Sequence, residues 1–232
     1  MVDDGSPDDT SDVANAALAR LGPRARFIRQ ANAGVATARN VGIAAARGRY
    51  IVPLDADDVL YPDFLQRTIG LLETNQANCI AYTDYQMFGS VNRIVHVPEF
   101  DSDGLSRSNH ILNTAAYPRT AWEIAGGYNP NLALAFEDWD FWISCAEHGF
   151  VPQRIPEVLL GYRVRTGSRN DRSADERRAM TAVVHANHPA LFTRRRRLAR
   201  RLRRVPRNAA RQFNRLLTRL SGGRVHVPPE PW

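Results

Sequence analysis

Short apolar runs alternate with helix-period stretches over the first 54 residues, and this alternation constrains the fold more than any other feature of the chain. Met1-Val2 are the only strand residues before Asp3-Asp4-Gly5-Ser6, which is turn chemistry and calls for something ahead of it. Asp8 and Asp9 are N-cap candidates for a helix carrying Val13, Ala17, Leu18 and Leu21 at helical spacing, ended by Gly22-Pro23. Arg26 to Ile28 reads as a short strand, Asn32 to Gly34 as a loop, Val35 to Arg47 as an alanine-rich helix stopped at Gly48, and Tyr50 to Leu54 as a buried strand. Strand, helix, strand, helix, strand predicts an α/β fold whose sheet is mostly parallel and flanked by helices.

Tyr50 to Leu54 runs directly into Asp55-Ala56-Asp57-Asp58, three carboxylates within four positions. Ligands of open α/β sheets bind at the carboxyl ends of strands, and carboxylates placed there offer oxygen donors to a hard divalent cation. The same residues would also serve as a solvated turn before the helix expected near Pro62.

With 232 residues, 44% of them hydrophobic, the chain can bury a real core, which excludes a fibrous or wholly disordered protein. Its net charge of +7 hides a division. Residues 190–232 hold 13 arginines and one acid, whereas residues 1–189 hold 18 arginines and 23 acids. Cys79 and Cys145 stand apart, with no metal or redox spacing, which suits a reducing cytoplasm. No apolar run approaches the roughly 18 residues that span a bilayer, and the N-terminus has no signal-peptide core.

Phe64, Leu65, Ile69, Leu71 and Leu72 predict a core-facing helix, Cys79 to Tyr82 a buried strand, Arg93 to Val97 an edge strand, and Pro98 to Asn109 a mobile polar loop. Asp84, just past its strand, is either an acceptor-side residue or a turn residue. A second chemical centre is Phe136-Glu137-Asp138-Trp139-Asp140-Phe141-Trp142, where acids sit among aromatics that exclude water and raise a carboxylate's basicity. The structural alternative makes these acids first-turn partners of a helix dipole, with Trp139 and Trp142 in the core, and Asp140 is read that way. From Leu191 onward arginines interleave with Leu198, Leu202 and Val205, then with Phe213, Leu216, Leu217 and Leu220, the pattern of a helical basic tail on an anionic membrane surface. Polyanions such as nucleic acid would match it on charge alone but are the less suited partner.

Four blocks in this order resemble one family. They are Asp3-Asp4-Gly5-Ser6-Pro7-Asp8; Asn32-x-Gly34 with Arg39-Asn40-x-Gly42; Leu54-Asp55-Ala56-Asp57-Asp58 with Pro62-Asp63; and Gly126-Gly127-Tyr128 followed by Glu137-Asp138-Trp139-Asp140. Together they are similar to the family 2 glycosyltransferases over residues 1–170, with 171–189 as a peripheral helix and 190–232 as the tail. The resemblance implies a GT-A fold and an inverting, metal-dependent transfer of sugar from a nucleotide-sugar, most simply a UDP-sugar, to a glycan or lipid-linked acceptor of a bacterial cell surface. It implies that Asp3, Asp4, Arg29, Gly34, Arg39, Asp55 and Arg165 bind the nucleotide-sugar, that Asp57 binds Mg²⁺ or Mn²⁺, that Asp138 is the catalytic base, and that Glu137 and Asp84 lie on the acceptor side. A cytoplasmic place follows, peripheral to the plasma membrane through residues 191–220. Two departures stand out: Ser144 where the family often has arginine, and Arg165 where it often has histidine. The family's first strand and helix, roughly 30 residues by the size of such units, have no counterpart. The expected consequences are open sheet edges and poor stability, so an inactive relative that binds only through its tail is the alternative reading.

Overall fold

The structure, a computed structural model, describes residues 1–74, 78–132, 135–165 and 173–192. The arginine-rich segment beyond Phe192, with the membrane contact expected of it, lies outside the described residues. Residues Met1–His188 form one compact unit and Pro189–Trp232 a second, of which the short helix Pro189–Phe192 is described.

The expected alternation is present in the first unit. β1 (Val2–Asp3), α1 (Thr10–Ala19), β2 (Ile28–Arg29), α2 (Val35–Ala45) and β3 (Tyr50–Ile51) follow in turn, with β1 and β2 parallel. β3 is shorter than the expected strand because Pro53 donates no hydrogen bond and the chain turns at Asp55, whose carbonyl accepts from the Asp58 N–H at 3.1 Å. Val13 and Leu21 of the predicted apolar face of α1 are exposed, and Ala14 is its buried residue.

β4 (Val59–Leu60) leads into α3 (Phe64–Thr74), which buries Phe64, Thr68 and Leu72 at i, i+4, i+8, leaving the expected core residue Leu65 exposed. Two long strands, β5 (Cys79–Gly89) and β8 (Val151–Val164), run parallel along their whole length. With β6 (Arg93–Val95) and β4 they make a sheet of order β4-β8-β5-β6. Phe64, Leu72, Cys79, Ala81, Ile155, Leu159 and Leu160 form a core between α3 and this sheet. The segment expected to be a mobile loop contains α4 (Ser102–Leu105), capped by Asp101, which accepts from the N–H groups of Asp103 and Gly104.

β7 (Tyr117–Pro118) pairs antiparallel with β3, and Pro118 falls on a position whose partner needs no N–H from it. α5 (Arg119–Ala125) ends at Gly126 in the left-handed region, and α6 (Glu137–Glu147) then carries the aromatic cluster. Trp139 and Trp142 are core, as expected, and their indole N–H groups donate to the carbonyls of Leu105 (2.7 Å) and Ile111 (3.1 Å). α7 (Ala174–Asn187) starts with a reciprocal capping box between Ser173 and Glu176. His188, at its end, binds Glu147 at 2.8 Å and Asp140 at 3.2 Å, so Asp140 ties α6 to α7. The architecture is mixed α/β with flanking helices; among the described residues the strands fall into three ladders rather than one, and the two backbone bonds that Ala81 and Ala116 exchange join β5 to the segment entering β7.

Candidate active site

Local turn chemistry places the first group of expected residues at the carboxyl end of β1. Asp3 accepts from the Ser6 N–H and the Ser11 hydroxyl, both at 2.9 Å, and Arg29 lies 3.6 Å away. Hydrogen bonds from Ser6 first, then Ser11 and the charge of Arg29, hold the Asp3 carboxyl below its usual range. Asp4 turns the other way and straps the loop after β2: it accepts from Gln30 (2.7 Å) and from the N–H groups of Ala33 and Gly34 (2.9 Å each). Gly5 is required here, since it has φ of 81° and a Cβ would come within 2.9 Å of the Asn32 nitrogen.

Arg39, projecting from α2, joins two regions far apart in sequence. One guanidinium nitrogen donates to Asp55 at 2.7 Å and another to Glu137 at 2.6 Å. Its carbon lies 5.6 Å from the centre of the Tyr128 ring. Asn113, with its amide oxygen turned to the guanidinium, accepts from Arg39 at 3.1 Å while its nitrogen donates to the Tyr128 hydroxyl at 2.9 Å. Burial opposes the charge on Arg39, but the carboxylates of Asp55 and Glu137 keep it firmly protonated.

The neighbouring Asn40 explains the spacing of the Gly126-Gly127-Tyr128 block. Its amide oxygen accepts from the Trp122 indole and the Tyr128 N–H, and its nitrogen donates to the Tyr128 carbonyl, all within 2.7–2.9 Å. Gly127 has φ of 79°, and a Cβ there would meet the Asn40 oxygen at 2.8 Å. Asn40 is therefore a clamp that holds the loop before α6 against α2. Phe136, the one non-glycine residue with positive φ (68°) among the described residues, then sets the first turn of α6. Glu137 is buried in its contact with Arg39. Asp138 is half-buried, accepts from the Trp139 N–H at 2.7 Å, and is pushed up to about 7 by burial and by the charge of Glu137, against the opposing charge of Arg39.

The third group gathers at the end of β3. Asp55 and Asp57 keep about a third of their side-chain surface exposed, 33% and 34%. Arg165, which follows β8, reaches Asp57 at 3.2 Å, so a residue expected at the nucleotide and the expected metal ligand meet across 108 positions of chain. Asp58 accepts from the Arg163 N–H at 2.9 Å, and burial, reinforced by the charges of Asp55 and Asp57, pushes it up to about 6. Among the described residues no three His, Cys, Asp or Glu side chains are clustered as a complete metal site. The donor set still fits a cation such as Mg²⁺, which binds through one or two carboxylates and keeps its other positions for water and phosphate oxygens.

Asp84, expected on the acceptor side, is wholly buried at an irregularity of the β5–β8 ladder. Arg154 donates to it twice, at 2.8 and 2.7 Å, and His96 and the Val97 N–H complete its shell at 2.6 and 3.1 Å. Burial pushes its carboxyl up, but these bonds outweigh it and hold it below the usual range. With every oxygen engaged and none open, Asp84 straps the sheet rather than facing an acceptor. Asp84→Asn should cost about 1.5–3 kcal/mol, the range for a hydrogen bond to a charged group, read as a lower urea midpoint, and leave nucleotide affinity unchanged. Sequence reasoning missed Asn113, which has no spacing signal, whereas Asp58 stood within the carboxylate run but had no role of its own.

The family model described as Glycosyl transferase family 2 matches residues 1–139. A PGL/p-HBAD biosynthesis glycosyltransferase of Mycobacterium tuberculosis is 32% identical over 162 residues, covering 69% of this chain and 62% of that protein. The chondroitin synthase of Escherichia coli is 28% identical over 153 residues, covering 64% of this chain and 22% of the synthase. The chain thus spans less than two thirds of the length of either relative. In structure it is similar to S. aureus TarS 1-349 in complex with UDP-GlcNAc, with a TM-score of 0.65 at 14% identity over 80% of this chain and 56% of that one. The chain belongs to glycosyl transferase family 2.

Proposed function

We propose that the chain transfers a sugar, with inversion, from a nucleoside diphosphate donor to an acceptor hydroxyl, with Asp138 as the base. The observation that carries this reading is the pair of hydrogen bonds that Arg39 donates, one to Asp55 at a strand end and one to Glu137, which stands beside a carboxylate raised to about 7. Donor-side and base-side groups are thereby held in one frame.

In the reaction, Asp138 takes the proton of the acceptor hydroxyl, whose oxygen forms a bond to the anomeric carbon from the face opposite the diphosphate. The bond from that carbon to the diphosphate breaks, and its electron pair leaves with the nucleotide. Asp57 would hold Mg²⁺ or Mn²⁺, which supplies positive charge against the diphosphate, with Asp55 beside it on the nucleotide. Arg165 adds a guanidinium fork suited to phosphate oxygens. Asp3 and Arg29, beside Gly34 and Asp4, form the side on which the base and ribose rest.

The TarS structures contain UDP-GlcNAc or UDP, which favours a UDP-sugar as the donor class. A glycan or lipid-linked hydroxyl as acceptor, at the cytoplasmic face of the membrane, accords with the basic amphipathic pattern of residues 191–220. No helix among the described residues is long and apolar enough to cross a membrane.

Calorimetric titration of UDP with Mn²⁺ into the full chain tests the donor site. Saturable binding is expected, reduced at least tenfold in Asp57→Ala and absent with EDTA. A folded chain that binds none of UDP, GDP and dTDP would instead be an inactive relative.

A further inference from the structure

Besides its two carboxylates, Arg39 has a neutral partner. The Asn113 amide oxygen accepts from both Nε and Nη2 of Arg39 at 3.1 Å, along one edge of the guanidinium plane. The bonds to Glu137 and Asp55 leave from Nη1 and Nη2. The two acids therefore hold the outer end of the group, and Asn113 engages the nitrogen nearest the stem. A planar fork gripped on an edge and at its end cannot turn about its last side-chain bond without giving up bonds at both.

The Asn113 amide is itself fixed. It is buried, and its nitrogen donates to the Tyr128 hydroxyl at 2.9 Å. That hydroxyl lies 3.1 Å from the hydroxyl of Tyr117, and both tyrosines are buried. The backbone on either side of Asn113 is pinned as well: the Ile111 carbonyl accepts from the Trp142 indole of α6, and Ala116 exchanges two bonds with Ala81 of β5. Tyr117 pairs with Ile51 of β3, four positions before Asp55. The contacts close a circuit from Asp55 through Arg39, Asn113, Tyr128 and Tyr117 back to the strand that leads into Asp55. A buried circuit of this kind selects one arrangement, because moving any member strands a polar group.

We propose that Asn113 is a positioning residue for the transfer: its neutral amide sets the plane of Arg39, so that one arm meets Asp55 and the other Glu137, and leaves the guanidinium charge undivided for the acids around it. The role rests on the reading of Asp138 as the base. Neutrality at position 113 matters because the charge of Arg39 opposes the rise of Asp138, against the charges of Glu137 and Asp55, with Tyr128 held neutral by burial in the same field. A carboxylate at this position would draw on the same guanidinium and add a further negative charge. An aliphatic side chain would leave the Nε–H of Arg39 and the hydroxyl of Tyr128 unmet.

The test follows two quantities in the full chain: the titration of Asp138, read from the carbon-13 carboxyl signal that Asp138→Asn removes, and the calorimetric affinity for UDP with Mn²⁺. Asn113→Asp, an isosteric change that keeps an oxygen on Arg39, should move the Asp138 midpoint upward from about 7 by at least about 0.5 pH unit, the direction a nearby like charge imposes. Asn113→Leu should weaken UDP binding about threefold to tenfold, the net worth of a typical hydrogen bond. The same change in an Arg39→Lys background should cost less than about twofold, because a lysine offers no Nε–Nη2 edge to hold. A midpoint unmoved in Asn113→Asp, or an equal loss of UDP affinity in both backgrounds, would overturn the role and leave Asp138 as the base. A parent chain in which Asp138 titrates at its ordinary 3.8 would instead remove the base, and the two UDP affinities would then decide whether Asn113 acts through Arg39. Where UDP does not bind, or the leucine variant does not fold, the Asn113→Asp midpoint decides alone.

Discussion

Asp138→Asn should lower turnover by about 10²–10⁴-fold, the usual contribution of a positioned base, while UDP affinity stays within about threefold. The isosteric amide keeps the contact with the Trp139 N–H but cannot take a proton. In the unaltered chain, burial and the charge of Glu137 raise Asp138 to about 7. As the proposed base, Asp138 would act in its ionised form, so kcat/KM should climb tenfold per pH unit below about 7 and level off above it. The same shift acts on stability. The folded chain holds a proton on Asp138 that the unfolded chain, with an ordinary value of 3.8, has released. Its contribution is therefore fully present below about pH 3.8 and is lost as pH rises through about 7. Asp138→Asn carries no such proton, so its denaturation midpoint should gain on that of the parent between pH 5 and pH 8. Parallel pH dependences in the two proteins would remove Asp138 from the role of base.

Arg39→Met should be the most destabilising single change among the site residues. It leaves Glu137 buried without its partner and Asp55 without its cation, and stranding a buried charge costs about 3–5 kcal/mol. For a domain of this size that corresponds to a Tm lower by roughly 6–20 °C. UDP binding should be lost at temperatures where the variant remains folded, because Asp55 is no longer fixed to α2. Arg39→Lys separates charge from geometry: one ammonium restores much of the stability but cannot fork between two carboxylates. Arg39→Met with unchanged stability and unchanged nucleotide affinity would show that the guanidinium frame is incidental.

The first half of the architecture was legible because its signals are local. Turn residues, caps and short apolar runs act within a few positions, and β1, α1, β2, α2 and β3 lie where those signals put them. Strand lengths were less legible: β8 runs the length of β5 because the two strands satisfy each other's backbone, a property that neither segment carries alone. The exposed Val13 and Leu21 show the same limit, since helical spacing defines an apolar face but not the element that covers it.

For the site, sequence alone determined which carboxylates and arginines to watch: Asp3, Asp55, Asp57 and Asp138 are marked by their blocks before any coordinate is known. Tertiary structure decided their partners. Arg39 meets Glu137 across 98 positions, Arg165 meets Asp57 across 108, and Asp84, chemically similar to the others, turns into the sheet to hold Arg154. The physical reason is that an ion pair depends on the distance and burial of its two groups in space, and a sequence specifies spacing only along the chain.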